Sequence, residues 1–293
     1  MELRILRSFL AVAREGNVTR AARTLHITQP ALSRQLADLE REVGCALLVR
    51  EARGVTLTEQ GMLLRKRADE IVSLADRTER ELRAPAAKVE GDVWVGGGES
   101  RAMALVARVA TGVAADHPGV RLRVHSGNGT DVLERVERGL LDFGVVFGSE
   151  PDARYERLRL PHEDRWGVLV RRDHPLARRD ELTLNNLHGE RLIVSGETGE
   201  LGEGAPTLFR RLVSGGFDVA ATYTLLYNAS LLVEAGMGVA VCFDGIVATG
   251  EGTPFEFVPF ADTPTTRAYL IWKRFQPLSR ACDLFLRSMR ESC

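Results

Sequence analysis

The sequence predicts an α/β protein overall, built from an all-helical amino-terminal unit, a long connecting helix and a carboxy-terminal α/β unit. Three observations predict it. Helix-spaced apolar residues with capping and turn residues between them fill the first part of the chain. One heptad-spaced stripe then runs from Leu57 to Leu82. Beyond residue 90, short strand-like apolar runs alternate with helical stretches, the texture of a parallel sheet covered by helices.

Leu3, Leu6, Phe9, Leu10 and Ala13 line one side of a first helix that Gly16 ends. Asn17 to Gly44 then reads as two short helices around a tight turn. The first, around Thr19 to Leu25, carries Ala21, Ala22 and Leu25 on a small apolar face that lets another helix approach closely. His26 and Ile27 make the turn, Thr28 is placed to cap the second helix with its hydroxyl, and Pro30 falls in the first turn, where a missing N–H costs nothing. Leu32, Leu36, Leu39 and Val43 form the buried stripe of that helix, and Gln29, Ser33, Arg34, Ala37 and Arg41 form its opposite face. A short polar, basic face at the amino end of an anchored helix is what a major-groove reader requires: Arg can bond guanine twice, Gln can bond both edge atoms of adenine, and Ser permits close approach. The residues alone also fit an ordinary amphipathic helix with a solvated face.

Leu47 to Arg50 and Val55 to Leu57 read as two short strands around a turn at Arg53 and Gly54. Beside a reading helix, Arg50 and Arg53 would lie against phosphate or the minor groove; otherwise they mark a solvated hairpin tip. Thr58 caps the next helix, Glu59 sits in its first turn, and it can run to Ala84 before Pro85 stops it. At 1.5 Å per residue that helix is roughly 40 Å long, too lightly covered to stand alone. Leu64, Ala68, Ile71, Ala75 and Leu82 are its expected pairing stripe, with Gly61 and the alanines allowing a close partner helix.

The segment AARTLHITQPALSRQLADLEREVGCALLVREARGVTLTEQG, from Ala21 to Gly61, resembles the winged helix-turn-helix of the LysR-type transcriptional regulators, position by position along AA…L…TQPALSRQ…LE…G…L..R…LT..G. The resemblance implies a bacterial, cytoplasmic regulator that binds double-stranded DNA at an inverted repeat, with Thr28, Gln29, Pro30, Ser33, Arg34, Arg50 and Arg53 as its DNA-contacting set. It also implies a homodimer paired through the linker helix, with family members commonly assembling further into tetramers. A small-molecule effector is implied in a two-lobed, periplasmic-binding-protein-like domain. The expected divisions are 1–58 for the winged helix-turn-helix, 59–90 for the linker helix and hinge, and 91–293 for the effector domain. Within the last, lobe one takes about 91–160 and 268–293, and lobe two about 161–267.

Along the carboxy-terminal part, VWVGGG, a helix from about Ser100 to Asp116, VRLRVHSGNG, a helix from Asp131 to Arg138 and DFGVVFG make a βαβαβ unit. Strands follow over about 155 to 172, then RLIVSG, a helix near Thr207 to Ser214, DVAATYTL, a helix near Ala229 to Ala235, and GVAVC. RAYLIWK and a helix from Ser279 to Arg290 return to the first lobe.

Ligands of open α/β sheets collect beyond the carboxyl ends of the strands, where helix N-termini present free N–H groups. The effector residues so expected are Glu99, Ser100 and Arg101, Asn128, Phe147 and Gly148 from the first lobe, and Ser195, Thr198 and Asn228 from the second. Each also has a plainer reading as a turn or a cap. Ser100 and Arg101 would suit a small carboxylate. Glu99 and the acidic loop GETGELGEG, from Gly196 to Gly204, weigh against one, and that loop is open to three readings: a lid, a preference for an amine, or a position outside the cleft.

Net charge is −1; residues 1–90 hold 16 Lys plus Arg against 13 Asp plus Glu, so the mild basic excess lies in the amino-terminal part. No apolar run has the length of a membrane span, and the four cysteines lack metal-site or disulfide spacing. No GxSxG, HExxH or P-loop occurs, so no cofactor, metal or catalytic role is expected. A solute-binding protein or enzyme, and an architectural DNA binder with no effector, are the competing classes.

Overall fold

The computed structural model describes residues 1–51, 54–83, 88–148, 150–196, 208, 212, 215–263 and 265–293, with residues 50, 80, 81 and 83 as backbone. The chain divides into two units, Met1–Ala84 and Pro85–Cys293.

In the first unit, α1 (Leu3–Glu15), α2 (Val18–Thr24) and α3 (Gln29–Val43) surround one core. The inward row of α1 is Leu6, Phe9 and Val12, whereas Leu3 stands in solvent. Gly16 ends α1 at φ 57°, a left-handed position that suits glycine. The side chain of Asn17 then caps α2 by accepting from the Arg20 N–H at 3.0 Å. Leu32, Leu36 and Leu39 bury the inner face of α3 against Ala21, Ala22 and Phe9. Val43, expected on the same stripe, is 39% exposed, since α3 ends there and Gly44 turns the chain away at φ 75°. Thr28 does occupy the N-cap, but its hydroxyl makes no capping bond. Pro30 in the first turn removes one of the donors such a cap would serve.

The hairpin β1 (Leu48–Glu51) and β2 (Gly54–Leu57) runs antiparallel, from Leu48 opposite Leu57 to Glu51 opposite Gly54. Backbone contact fixes it to the helices. Val55 N–H donates to the Gly16 carbonyl at 2.9 Å, and a Cβ on Gly54 would lie 2.5 Å from that same oxygen. The Glu40 carboxylate of α3 accepts from the N–H groups of Leu47 at 2.8 Å and Leu48 at 3.1 Å. Arg53 and the side chain of Arg50 lie outside the described residues.

Helix α4 (Glu59–Arg83) opens with the Thr58 hydroxyl accepting from Gly61 N–H at 2.9 Å and donating to the Ala46 carbonyl at 2.8 Å. The pairing stripe read from the sequence requires correction here. Helix α1 packs along α4, Ala68 is fully buried, Leu64 packs on the core of the unit, and Arg7 binds Asp76. The apolar side chains that α4 leaves open are Met62, Leu63, Ile71, Leu74 and Leu82. Gly61 is likewise needed within the unit, because a Cβ there would meet the Leu47 carbonyl oxygen at 2.1 Å.

The second unit holds two five-stranded sheets. Lobe one contains β3 (Gly91–Gly97), β4 (Val120–Ser126), β5 (Phe143–Phe147), β6 (Tyr155–Asp164) and β12 (Thr266–Lys273), in the order β4-β3-β5-β12-β6. The first three are parallel, through crossovers α5 (Met103–Asp116) and α6 (Gly129–Glu137); β12 is antiparallel to both neighbours. Helix α8 (Arg280–Glu291) covers this sheet with Phe285, Leu286 and Met289 in its core. Lobe two orders as β11-β7-β10-β8-β9, from β7 (Trp166–Arg171), β8 (Arg191–Ser195), β9 (Asp218–Tyr223), β10 (Val239–Phe243) and β11 (Phe255–Pro259), with α7 (Leu226–Glu234) between β9 and β10. Sequence reading missed β11, whose flanking prolines and glycines mask a strand only five residues long. The helix expected near Thr207 to Ser214 lies largely outside the described residues; within it Leu208 and Leu212 are helical and buried in lobe two. The chain leaves the first sheet after Asp164 and returns at Thr266, rather than at about 160 and 268, because β6 and β12 pair from Tyr155 opposite Lys273 to Asp164 opposite Thr266, across one irregularity between Arg267 and Tyr269.

Alanine normally stabilises a helix interior over glycine by about 1 kcal/mol. Gly61→Ala is expected to act the other way, lowering stability by about 1–3 kcal/mol through overlap with backbone. Thermal and urea melts of the full chain check the sign.

Candidate nucleic-acid interface and interlobe cleft

The outer side of α3 presents its residues at the amino end. Gln29, Pro30 and Arg34 are exposed and Ser33 is half-buried. The Gln29 amide donates to the Ser33 hydroxyl at 2.8 Å, one helical turn on, so the two polar groups are held together. Among the described residues, Arg34 has no hydrogen-bond or ion-pair partner, leaving all five guanidinium donors open. Arg41, further along, is tied to Asp38. Thr28, at the foot of the helix, is exposed with its hydroxyl uncommitted to the helix end. His26, in the turn, holds φ 54°, a position that few non-glycine residues take. Such a face can accept a base edge: a fork of donors, a carboxamide and a hydroxyl, on a helix whose other side cannot move without opening a core.

In the second unit, the loop after β3 carries Glu99, Ser100 and Arg101, and all three reach groups of the chain itself. The Glu99 carboxylate accepts from the Leu226 N–H at the start of α7, across from lobe one to lobe two. The Ser100 hydroxyl donates to Asp164 Oδ2 at 2.6 Å and accepts from Ala102 N–H at 2.9 Å. Arg101 packs its stem on Gly245 of lobe two, 3.1 Å from where a Cβ would stand. Phe147 packs against the cores of both lobes and meets Phe243 with ring centroids 5.7 Å apart. These four expected residues therefore gather at one interlobe surface. Gly148, with φ 104°, follows directly and its N–H bonds the Arg267 carbonyl. Asn128 is engaged otherwise: its side chain caps α6, accepting from Asp131 N–H at 2.8 Å. Asn228 is exposed in the first turn of α7, Ser195 ends β8, and Thr198 lies outside the described residues.

Sequence reading did not single out Leu226, Phe243, Gly245 or the crossing itself. Asp164 ends β6 and Trp166 begins β7, and the Trp166 indole N–H donates to the Thr266 hydroxyl at 2.7 Å. Its ring lies 4.0 Å from that of Phe243. The one available signal is a carboxylate and a tryptophan flanking Arg165 between two strand-like runs. Alternation in β6 turns neighbouring side chains apart: His162 Nε2 lies 3.3 Å from Asp164 Oδ1, while Glu163 turns to Arg159 and Thr265.

Burial pushes the Asp164 carboxyl above the usual aspartate range, against the lowering effects of Ser100, His162 and the Arg101 backbone N–H. A pKa raised in the folded state means that native Asp164 holds its proton more tightly than the unfolded chain does. Its contribution is fully present below the unfolded value of about 3.9 and is lost as pH rises through the folded one. Asp164→Asn, neutral at every pH, is expected to melt at its highest temperature relative to wild type near neutral pH. That advantage should shrink steadily as pH falls towards about 4. Paired melting curves across this range check the slope.

Comparison with known proteins covers both units. Residues 3–62 match the model of the bacterial regulatory helix-turn-helix proteins of the lysR family, and residues 86–293 match the LysR substrate binding domain. The regulator BudR of Raoultella terrigena is 32% identical over 302 residues, covering 98% of this chain and 99% of that protein. The Hca operon transcriptional activator HcaR of Escherichia coli is 30% identical, covering 94% and 92%. The match to YybE of Bacillus subtilis, 31% identical, is shorter and spans 66% of each chain, just under two thirds. Among solved structures, CbnR in complex with its target DNA superposes with a TM-score of 0.74 at 20% identity, covering the whole of both chains, which establishes the fold. The two matches meet almost end to end along the sequence, so the chain belongs, through both of its parts, to the LysR family of DNA-binding transcription regulators with an effector-binding domain.

Proposed function

We propose that two copies of the chain, paired through α4, bind the two halves of an inverted-repeat operator in double-stranded DNA. The observation that carries this reading is the free Arg34 guanidinium beside the linked Gln29 and Ser33, on a helix anchored by Leu32, Leu36 and Leu39. One such helix spans too few base pairs to define a genomic site, whereas a dyad doubles the sequence read. Thr28 and Pro30 would let the amino end of α3 approach the backbone, with Arg50 and Arg53 of the hairpin adding phosphate or minor-groove contact. The pairing surface uses the face of α4 that α1 leaves open, with Leu63, Ile71, Leu74 and Leu82, and runs beside Ala68 rather than over it. A dimer of such dimers follows the family's common assembly. The protein works in the bacterial cytoplasm, where its operator is; no described helix is long and apolar enough to cross a membrane.

A small-molecule effector binds between the lobes, at the surface formed by the loop Glu99 to Arg101, Phe147 and the start of α7 around Asn228, with Ser195 at the end of β8 and, as expected from the sequence, Thr198 as further contacts. It controls transcription by favouring one lobe pose, and thus one arrangement of the DNA-binding halves, over another. A ligand that bound both poses equally would change nothing.

The deciding experiment is a footprint on the DNA upstream of this protein's own gene, at two salt concentrations with random competitor. Protection of a dyad-symmetric site that survives competition supports the reading; sequence-blind, salt-sensitive binding alone overturns it. Arg34→Ala is expected to cost about 1–3 kcal/mol on the operator with little change on random DNA, while Arg50→Ala weakens both alike and lowers the salt slope. Equal losses for Arg34→Ala on both DNAs would make it a phosphate contact. Leu74→Glu is expected to shift sedimentation towards the monomer, where Leu64→Glu instead destabilises the amino-terminal unit.

A further inference from the structure

Three described helices of this chain are capped by side chains from their own flanks. Asn17 accepts from Arg20 N–H, Asn128 from Asp131 N–H and Ser279 from Cys282 N–H, at the starts of α2, α6 and α8. At the start of α7 the N-cap residue is Leu225, which has no acceptor and makes no capping bond. Its place is taken by Glu99, 127 residues away and in the other lobe, whose carboxylate receives the Leu226 N–H. A charged acceptor at a helix N-terminus makes a stronger bond than a neutral one and meets the positive end of the helix dipole. A neighbouring residue reinforces the same join: Arg101 lies on Gly245 of lobe two, while Ser100 is held within lobe one by Asp164 at the end of β6.

We propose that Glu99 is an interlobe latch: it caps α7 only when the lobes take the pose described here, so the order of the first turn of α7 and the lobe pose stand or fall together. The latch rests on the reading that lobe pose governs DNA binding only for its regulatory consequence, not for its existence. When the lobes separate, Leu226 N–H loses its acceptor and Leu225 cannot replace it. The chain thus holds the pose described here through a bond of its own, and any effector must work with that bond or against it.

The test uses the full-length chain without ligand. Glu99→Ala removes the carboxylate and Glu99→Gln keeps the shape without the charge. Amide hydrogen exchange over the start of α7 should rise about tenfold in Glu99→Ala and less in Glu99→Gln, while the locally capped starts of α6 and α8 stay as they were. Acetate, as a carboxylate in solution, should restore part of the protection in Glu99→Ala and add none to wild type. Lobe pose is read separately from spin labels at Arg108→Cys on α5 and Arg179→Cys in lobe two, in a chain carrying Cys45→Ser and Cys293→Ser and diluted into unlabelled protein. One narrow distance in wild type and a broad or longer distribution in Glu99→Ala support the latch. Unchanged exchange at α7, or an unchanged distance distribution, overturns it. A loosened pose with an unaltered footprint would keep the latch and overturn the control of DNA binding by lobe pose.

Discussion

Two passages of chain join the two sheets of the carboxy-terminal unit, and they are bound to each other where they cross. Thr266 pairs with Asp164 across the strands and receives the Trp166 indole N–H, while Asp164 takes the Ser100 hydroxyl. All of these groups are wholly or largely out of water, so each bond is kept at the full penalty of leaving a buried polar atom bare. The remaining architecture of this unit depends on that crossing. It brings the loop after β3 to face the start of α7, and it sets Phe147 against Phe243, so the polar and aromatic contacts between lobes follow from where two strands change sheets.

The amino-terminal unit solves a different problem, holding one helix face rigid while leaving the opposite face bare. Leu32, Leu36 and Leu39 anchor α3, Glu40 fastens the hairpin to it, and backbone contact at Gly16 and Gly54 leaves the hairpin no room to shift. A reading surface needs such support, because a side chain displaced by an ångström loses the geometry of a two-bond contact with a base. The exposed donors of Arg34 are tolerable in the free protein because they stand in water.

Much of this was legible in the sequence wherever the signal is local. The helix spacing of Leu32, Leu36 and Leu39, Thr58 before α4 and the alternation of strands and helices after residue 90 all report on neighbours within a turn or two. What sequence missed depends on groups far apart in the chain. Ala68 and Leu64 fit a heptad stripe, yet the stripe cannot say that α1 has already taken them. Gly61 resembles a gap left for a partner helix, although the oxygen it makes room for belongs to Leu47 of the same chain. Glu99 reads as an oddity in a ligand loop until Leu226 is seen to receive it. Thr28 is the converse case: a sound local cap signal goes unused, its hydroxyl making no bond to the start of α3.

Lobe one is discontinuous, and its last strand and covering helix, β12 and α8, come after the whole of lobe two. On the ribosome, therefore, the amino-terminal unit, whose contacts are short in sequence, can fold while the sensing unit is still being made. Lobe one must wait with an open edge at β5 until residues 266–291 emerge to cover it. Premature termination anywhere in that stretch would release a chain able to grip DNA but without a finished sheet to answer a signal, so errors late in synthesis are worse than silent.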